Sequence, residues 1–296
     1  MDLLKAALDF RASHITAKTT NVYRMVDGEA DACPNLYIDN YADNWLIQSS
    51  GDFPEELLQV SGWRSIYYKK LEKGDKKSPQ WMAGEKLPEF FEVFEGPSKY
   101  WVSFDHGYSQ GFFIDQRDNR ELMARLSKNK KMLNLFSYTS SFSLRAAFEG
   151  AHTVSVDLSS PSLEWAKRNF LLNKIDLENH LFWRGDARDY LKRAKKSGEF
   201  FDSVVIDPPS FSRDKKSGTF QIEKEFQSLV ESAFEVLNSK GSIFFSCNLQ
   251  KQDLSFFEKP LKKIAQKNSY KCEVKPLTWD FRRKSQLKAF LFTPIL

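Results

Sequence analysis

The chain has 296 residues, of which 41% are hydrophobic and 28% are charged, and this composition is typical of a soluble globular protein of about two domains. No stretch approaches the ~18 consecutive apolar residues of a membrane span, and the first residues lack the basic and then apolar order of a signal peptide, so we expect a cytoplasmic protein without a membrane partner. The three cysteines, Cys33, Cys247 and Cys272, lie far apart without a C-x-x-C pair, and the four histidines are scattered, so neither a disulfide framework nor a metal site is indicated.

The net charge is +5, and the excess of basic residues is clustered along the sequence. The clusters lie at residues 128–131, 192–196, 213–216, 262–263 and 282–284. Any one of them is more typical of a solvated helix face. Together they favour a polyanionic partner such as a nucleic acid backbone.

The first 104 residues predict a small α+β domain. We expect helices at residues 1–17 and 55–60, and strands at 21–25, 36–50 (a hairpin), 65–70, 90–94 and 100–104. Residues 74–88 are rich in Lys, Gly and Pro, so we interpret them as a mobile loop.

From residue 105 onwards helices and strands alternate. Helices are expected at 115–126, 161–173, 187–196, 221–237 and 254–267, and strands at 180–186, 201–207, 242–246, 272–277 and 288–294. This order predicts an α/β, doubly wound sheet over residues 105–296.

A β-α-β unit over residues 131–157 is the centre of this domain. An apolar run leads into a turn of small residues, then a helix, and then a second run that is closed by Asp157. Parallel sheets bind ligands at the carboxyl ends of their strands, where a carboxylate about 20 residues past the turn can accept hydrogen bonds from both hydroxyls of a ribose. The sequence therefore predicts a nucleoside-bearing cofactor.

The turn narrows the choice of cofactor. A pyrophosphate cradle needs glycines that let the backbone close around the phosphates. Ser140 and Ser141 stand where such glycines would be. The site is therefore poor for a dinucleotide, and a nicotinamide-dependent oxidoreductase is disfavoured. S-adenosylmethionine, which has an adenosine and no phosphate, fits better.

Asp186 ends the third strand of the domain. It could accept the amino group of the adenine, or it could cap the helix that starts at Ala187. One carboxylate can do both.

The most specific motif is VVIDPPSF at residues 204–211. A buried strand ends in Asp207, and Pro208 and Pro209 fix the backbone and remove its N–H groups. The remaining carbonyl and carboxylate oxygens accept hydrogen bonds from an amino-bearing base, on which Phe211 could stack. The alternative is a strand that is ended by prolines, with Phe211 in the core. Ser210 stands where amino-group methyltransferases place an aromatic residue, which weakens that chemistry.

Cys247 follows the fifth strand. Methylation of cytosine C5 requires a thiolate that first adds to C6. Cysteine is also among the residues most often simply buried, and we favour that interpretation from the sequence.

At these residues the chain resembles the class I S-adenosylmethionine-dependent methyltransferases that modify bases of large-subunit ribosomal RNA (23S rRNA). The resemblance spans nearly the whole chain. It rests on GEADACPNL at 28–36, GFFIDQR at 111–117, LNLFSYT at 133–139, VD at 156–157, Asp186 and DPP at 207–209. It implies a seven-stranded sheet whose last strand is antiparallel, S-adenosylmethionine as cofactor and ribosomal RNA as partner.

The resemblance also implies roles for individual residues. Those expected along the cofactor are Asp115, Arg117, Asn134, Phe136, Ser137, Tyr138, Thr139, Asp157, Leu158, Asp186, Ala187 and Asp207. Those expected at the target base are Asp207, Pro208 and Pro209, with Cys247 only if cytosine is the target. Those expected to bind RNA are Ser210, Phe211, Arg213, Lys215 and Lys216.

Two branches of this family compete. The cytosine-C5 branch carries a cysteine where Cys247 stands, followed by serine rather than by Asn248. The branch that methylates guanine N7 matches residues 163–169, 207–212 and 280–282 better, and we favour it. Family members usually begin with an RNA-binding module, a PUA domain in the cytosine branch, which we do not expect in this chain. RNA contacts are therefore expected from the small domain and the basic loop at 213–218. A non-catalytic ribosome assembly factor on the same scaffold is a further alternative, because the glycines expected at Ser140 and Ser141 are absent.

Overall fold

The computed structural model describes residues 2–14, 19–72, 77–107, 109–214, 218–249, 251–282 and 287–295. The chain forms two compact units. The first unit consists of Met1–Arg117 and Leu277–Lys284, and the second of Asp118–Pro276 and Ser285–Leu296. The first unit thus extends beyond residue 104, where the sequence suggested a boundary, and it also takes in a segment from near the end of the chain.

A five-stranded sheet with the strands in sequential order forms the first unit. Its strands are β1 (Val22–Asp27), β2 (Leu36–Tyr41), β3 (Asn44–Ser49), β4 (Ser65–Lys70) and β5 (Gln80–Gly84). Only the β3–β4 pair is parallel. Helix α1 (Asp2–His14) contributes Leu4 and Ala7 to the core of this unit. A separate antiparallel pair, β6 (Phe91–Glu95) and β7 (Ser98–Val102), follows along the chain.

One expectation for this unit was wrong, and another is confirmed with a different helix type. Residues 74–88 are not a loop throughout, because β5 pairs with β4 within them, while residues 73–76 lie outside the described part of the chain. The pairing comes from the free edge of β4, which the local sequence does not reveal. The expected helix at 55–60 is a 3-10 helix at Glu55–Gln59.

A buried ionic cluster lies in the first unit. Its centre is Asp280, whose side chain is fully buried. One carboxylate oxygen accepts hydrogen bonds from Thr278 Oγ1 and from Arg117 Nη1, the latter at 2.9 Å, and the other accepts from Arg117 Nη2 at 3.1 Å and from the Arg24 main-chain N–H at 2.9 Å. Arg11 Nη2 donates to the Asp280 carbonyl at 2.9 Å. These contacts fix residues 277–282 within the first unit.

The second unit contains the seven-stranded sheet. Its strands are β8 (Lys131–Leu135), β9 (His152–Asp157), β10 (His180–Arg184), β11 (Phe201–Ile206), β14 (Leu237–Cys247), β15 (Tyr270–Lys275) and β16 (Lys288–Pro294). Their order is β10-β9-β8-β11-β14-β16-β15. The first five are parallel, and β16 is antiparallel to both of its neighbours. The predicted α/β class and the antiparallel last strand are thus confirmed.

Helices cover both faces of this sheet. They are α2 (Arg117–Leu126), α3 (Ser141–Ala147), α4 (Ser160–Leu172), α5 (Ala187–Ser197), α6 (Ile222–Phe234) and α7 (Leu254–Lys267). Alternate residues of a central strand enter different cores: Ile243 and Phe245 belong to one hydrophobic cluster and Phe244 to another. This alternation is expected of parallel strands that are buried on both sides.

The strand order places the ligand crevice. From β8 the chain proceeds to β9 and β10 on one side and then returns to β11 on the other. Ligands of such sheets bind outside the carboxyl ends of the strands at this reversal. Two antiparallel strands, β12 (Phe211–Asp214) and β13 (Gly218–Gln221), form a hairpin after β11. The ends of the loop expected at 213–218 thus lie in these strands, and residues 215–217 lie outside the described part of the chain. Among the described residues, every helix is too short or too polar to cross a lipid bilayer.

Candidate functional site

The turn after β8 has an unusual backbone. Phe136, Tyr138 and Ser140 all have positive φ angles, of 58°, 49° and 60°. The turn is held by main-chain hydrogen bonds from Ser137 N to Val156 O at 2.9 Å and from Ser140 N to Ser137 O at 2.7 Å. The left-handed geometry that glycine would supply is therefore present at Ser140 without glycine.

Two hydroxyl groups in this turn lack partners. The Oγ atoms of Ser137 and Ser140 are buried and make no hydrogen bond with any described residue. The side chain of Ser140 likewise does not cap α3, which begins at the next residue. The left-handed backbone of Ser140 and its buried, unsatisfied hydroxyl group each lower the stability of the folded protein.

We therefore expect Ser140→Gly to raise the free energy of unfolding by about 1 kcal/mol. Relief of the left-handed strain outweighs the extra freedom that glycine has in the unfolded chain. Ser141→Gly is the matched control, because that residue is helical, and it should lower stability by about 0.5–1 kcal/mol. Urea unfolding of the two variants measures the difference. Destabilisation by Ser140→Gly equal to that of the control would contradict this account of the turn.

Asp157 closes the adjacent strand β9. Its Oδ2 accepts a hydrogen bond from Tyr138 N at 2.8 Å, and its Oδ1 accepts one from Ser159 N at 2.8 Å. Burial raises the pKa of the carboxyl group, and the two N–H donors oppose that rise. A carboxylate has about four acceptor positions, so this one retains capacity for two further donors.

Asn134 supports the turn from beneath. It is buried in β8, and its Nδ2 donates to Ser143 Oγ at 2.9 Å. Ser155 Oγ of β9 donates to the same oxygen at 2.8 Å. This polar contact joins β8, β9 and α3 below the turn.

Asp186 caps the amino terminus of α5, which was one of the two roles that the sequence suggested for it. Its Oδ1 accepts hydrogen bonds from the Arg188 main-chain N–H at 2.8 Å and from Arg188 Nε at 2.9 Å, and its Oδ2 accepts one from Arg188 Nη2 at 2.8 Å. Burial opposes ionisation, but these donors and the Asp189 N–H outweigh it and lower the pKa. The carboxylate is thus largely saturated, and its contact with an adenine stays a prediction.

Asp207 follows β11 and is partly buried. Its Oδ1 accepts a hydrogen bond from Ser246 Oγ of β14 at 2.6 Å. Pro208 is buried, whereas Pro209 and Ser210 are exposed. Ser210 Oγ donates to the carbonyl of Asn248 at 3.0 Å. The DPPS segment is therefore fixed against the end of β14, with rigid acceptor groups at the carboxyl edge of the sheet.

Cys247 is a core residue. It is 1% exposed and belongs to the same hydrophobic cluster as Phe245 and Phe290. Burial raises the pKa of its thiol to about 12, although the ammonium group of Lys288 acts in the opposite direction. Lys288 is itself buried and donates to the Leu249 carbonyl at 2.7 Å. The thiol is therefore a weak source of thiolate at neutral pH.

Most of the predicted residues come together at the carboxyl edge of the sheet in the second unit. They are Asn134, Phe136, Ser137, Tyr138, Thr139, Asp157, Leu158, Asp186, Ala187, Asp207, Pro208, Pro209, Ser210 and Cys247. Phe211 and Arg213 lie on β12, which continues from this edge. Lys215 and Lys216 lie outside the described residues.

Asp115 and Arg117 belong to the first unit. Asp115 lies in a 3-10 helix at Ile114–Gln116. The guanidinium of Arg117 donates to Asp280 and to the Val22 carbonyl. A structural role for Arg117 is therefore present, and its predicted role along the cofactor stays a prediction.

Sequence reasoning missed the residues that hold this edge in place. Ser246 donates a hydrogen bond to Asp207, and Lys288 donates one to the main chain after Cys247. Arg188, which pairs with Asp186, also donates to Glu225 at 2.7 Å. Ser246 could have been found, because it ends a parallel strand next to β11. Arg188 and Lys288 gave no such signal, since each resembled the many surface cations of this basic chain.

Comparison with known proteins decides the family. A model of the S-adenosylmethionine-dependent methyltransferases matches residues 59–292. The chain belongs to this family. Two curated relatives of this methyltransferase are ribosomal RNA large subunit methyltransferase K of Neisseria meningitidis and methyltransferase I of Aeromonas salmonicida. They are 34% and 33% identical over 84% and 85% of this chain, and the matches cover 75% and 67% of the relatives.

Solved structures agree with this assignment. The methyltransferase superposes on SMU.776, a protein described as a methyltransferase and solved in complex with SAH, with a TM-score of 0.89 and 29% identity over 99% of this chain and 80% of that one. A structure of an S-adenosylmethionine-dependent methyltransferase from Streptococcus mutans gives a TM-score of 0.87, with the same identity and coverage. The class I methyltransferase fold and the cofactor, S-adenosylmethionine, follow from the family.

The residues at the carboxyl edge fit this cofactor. Asp157 keeps two acceptor positions for the hydroxyls of a ribose, next to a turn whose two serine hydroxyls are unsatisfied. The turn carries side chains at the positions where a pyrophosphate would require glycine. The site therefore suits an adenosine without phosphates.

Proposed function

We propose that this methyltransferase modifies a base of large-subunit ribosomal RNA, and that the base is guanine, methylated at N7. The relatives' names support ribosomal RNA as the substrate. The observation that carries the proposal is the rigid DPPS segment after β11, which Ser246 and the Asn248 carbonyl fix at the same carboxyl edge of the sheet as Asp157, with β8 between the two strands. Such a row of acceptors suits the amino-bearing edge of a flipped or unpaired base.

The proposed arrangement divides the site between cofactor and base. Asp157 accepts the ribose hydroxyls, residues 134–139 line the cofactor, and Asp186 and Ala187 border the adenine. By resemblance, Asp115 and Arg117 serve the methionine end. Asp207, Pro208 and Pro209 separate the cofactor from the target, and Ser210 borders the base. The cofactor supplies a methyl group on a positively charged sulfur, which an in-line nucleophile can displace.

Guanine N7 suits the chemistry of this chain. N7 already carries a lone pair in the plane of the ring, so the transfer needs no proton removal and no covalent intermediate. What the protein must supply is position, which is worth several orders of magnitude in rate. Asp207 orients the base through its N–H groups, and Ser246 orients Asp207. A methyl transfer of this kind leaves a positive charge on the base, which the nearby carboxylate stabilises.

The alternative is a cytosine-C5 methyltransferase that uses Cys247. Its supporting observation is the place of Cys247 at the end of β14, with Asp207 and Lys288 as charged neighbours. Against it stand the burial of the thiol and its pKa of about 12, because the attack on cytosine requires a thiolate.

We expect Cys247→Ala to retain at least about half of the methyl transfer rate on ribosomal RNA, because the thiol takes no part in the reaction. Cys272→Ala is the matched control. Cys272 lies on β15, and burial raises the pKa of its thiol to about 12 as well. The rate of wild-type protein should also be flat between about pH 7 and 9, because guanine N7 needs no deprotonation. Loss of transfer in Cys247→Ala alone, or a tenfold rise in rate per pH unit, would establish the cytosine route.

One experiment tests the proposal as a whole. Purified protein and labelled S-adenosylmethionine are incubated with large-subunit RNA that lacks this modification, and the nucleosides are then identified by mass spectrometry. We expect 7-methylguanosine. 5-Methylcytidine would replace the base assignment, and the absence of any methylated nucleoside, despite measurable cofactor binding, would overturn the ribosomal substrate.

A further inference from the structure

We propose that the hairpin β12–β13 is an RNA-binding arm that holds the unpaired nucleotide next to the target base. This inference rests on the proposed function and extends it, because it names a surface and the kind of RNA that the surface binds. The described residues of this hairpin are 211–214 and 218–221.

The hairpin is anchored to the second unit by one face. Phe220 is 1% exposed, and its ring lies 5.2 Å from that of Phe136 in the cofactor turn. The guanidinium of Arg188 lies 5.7 Å from the centre of the Phe220 ring. The base of the hairpin is closed by hydrogen bonds from Ile222 N to Ser210 O at 3.3 Å and from Gln221 N to Glu225 Oε1 at 2.9 Å. The arm is therefore held at a defined place beside the site.

The opposite face is directed to solvent. In the hairpin, Phe211 pairs with Gln221 and Arg213 with Thr219, while Ser212 pairs with the buried Phe220. Residues that pair directly point to the same side of a β-ribbon, and neighbours along a strand point to opposite sides. Phe211, Arg213, Thr219 and Gln221 therefore share the face that Phe220 does not occupy. Phe211 is 58% exposed, and Arg213 and Thr219 are exposed as well.

This combination of side chains is suited to single-stranded RNA. Exposure of an aromatic ring to water is unfavourable, and stacking of a base on the ring removes that exposure. Every base can stack in this way because each has a π face. Arg213 lies two residues further along the same strand, about 7 Å away, where its guanidinium can pair with a backbone phosphate. The threonine and glutamine between them add hydrogen-bonding groups without charge.

The position of the arm selects the nucleotide. Phe211 follows Ser210 directly, and Ser210 is the last residue of the segment that borders the target base. Phe211 thus lies close enough to the proposed base site for the nucleotide next to the target to be the one that stacks on it. The contact would keep the target unpaired while the methyl group is transferred, so the arm should act on RNA affinity and not on cofactor affinity.

The test compares Phe211→Ala with Phe200→Ala. Phe200 is 50% exposed and immediately precedes β11, at the end of the strand away from the site. We expect Phe211→Ala to raise the Kd for a single-stranded rRNA fragment, and the KM for that fragment, by about tenfold, with kcat and the Kd for S-adenosylmethionine unchanged. Phe200→Ala should match the wild-type protein.

The charge on the arm has its own test. Arg213→Glu should make the negative slope of log K against log salt shallower by about 0.7, the value for one phosphate contact with a single strand. Lys240→Glu, an equal change of charge in the amino-terminal part of β14, is the control. If Phe211→Ala and Arg213→Glu behave as their controls while wild-type protein methylates rRNA, the arm is refuted and the proposed function stands. If wild-type protein binds cofactor but neither binds nor methylates rRNA, the proposed function itself fails.

Discussion

Asp157→Asn is expected to weaken the binding of S-adenosylmethionine by about 100-fold or more. Both carboxylate oxygens accept main-chain N–H groups, from Tyr138 and from Ser159. An amide has only one oxygen, so its NH2 group would face one of these N–H donors and push the turn away. The variant would also lose the charge-assisted hydrogen bonds to the ribose, each of which is worth about 1.5–3 kcal/mol.

Isothermal titration with S-adenosylmethionine and with its demethylated product measures this effect. Asp176→Asn is the control. Asp176 is exposed, and its carboxylate accepts a hydrogen bond from the nearby Glu178 main-chain N–H at 2.9 Å. The control should bind the cofactor as the wild type does. Equal affinities for wild type and Asp157→Asn would remove Asp157 from the cofactor site and, with it, the main geometric support for the proposed arrangement.

Asp280→Ala should destabilise the first unit by about 3–5 kcal/mol. Removing one partner of a buried ion pair leaves the other charge buried without compensation. Here the guanidinium of Arg117 would lose both of its hydrogen bonds to the carboxylate, and the main-chain N–H of Arg24 would lose its acceptor.

Urea unfolding combined with hydrogen exchange at β1 and β2 reports this loss in the first unit. Asp52→Ala is the matched control, since Asp52 is fully exposed and approaches Lys70 only at 3.8 Å. A surface pair of this kind contributes little, so the control should change stability by less than about 0.5 kcal/mol. A loss below about 1 kcal/mol in Asp280→Ala would mean that the ionic cluster does not hold residues 277–282 in place.

The large sheet was predictable from the sequence because apolar runs of strand length alternate with segments of helical periodicity, and two of those runs end at or next to an aspartate. The hydrophobic runs before Asp157 and Asp207 gave both the strand and the edge at which the side chains meet. The short strands were not predictable. Residues 80–84, 211–214 and 218–221 are polar or mixed, and they become strands only because a neighbouring strand supplies hydrogen bonds.

Contacts between residues that are distant in the sequence could not be predicted either. Asp280 meets Arg117 and Arg24 across 163 and 256 positions of the sequence, and no local pattern indicates such a pairing. The two serines of the cofactor turn illustrate a different failure. They suggested a decayed site and hence a non-catalytic protein, yet Ser140 adopts the left-handed geometry that the turn needs. Backbone conformation, and not residue type, was the property that mattered there.

The path of the chain has a consequence for how this protein can evolve. The polypeptide passes between the two units after Arg117, after Pro276 and after Lys284. A single recombination event at residue 118 would transfer the second unit together with residues 277–284 but without Arg117, whose guanidinium pairs with the Asp280 carboxylate. Exchange of the first unit for that of another protein would therefore leave the buried Asp280 carboxylate without its guanidinium partner, unless residues 277–284 are exchanged at the same time.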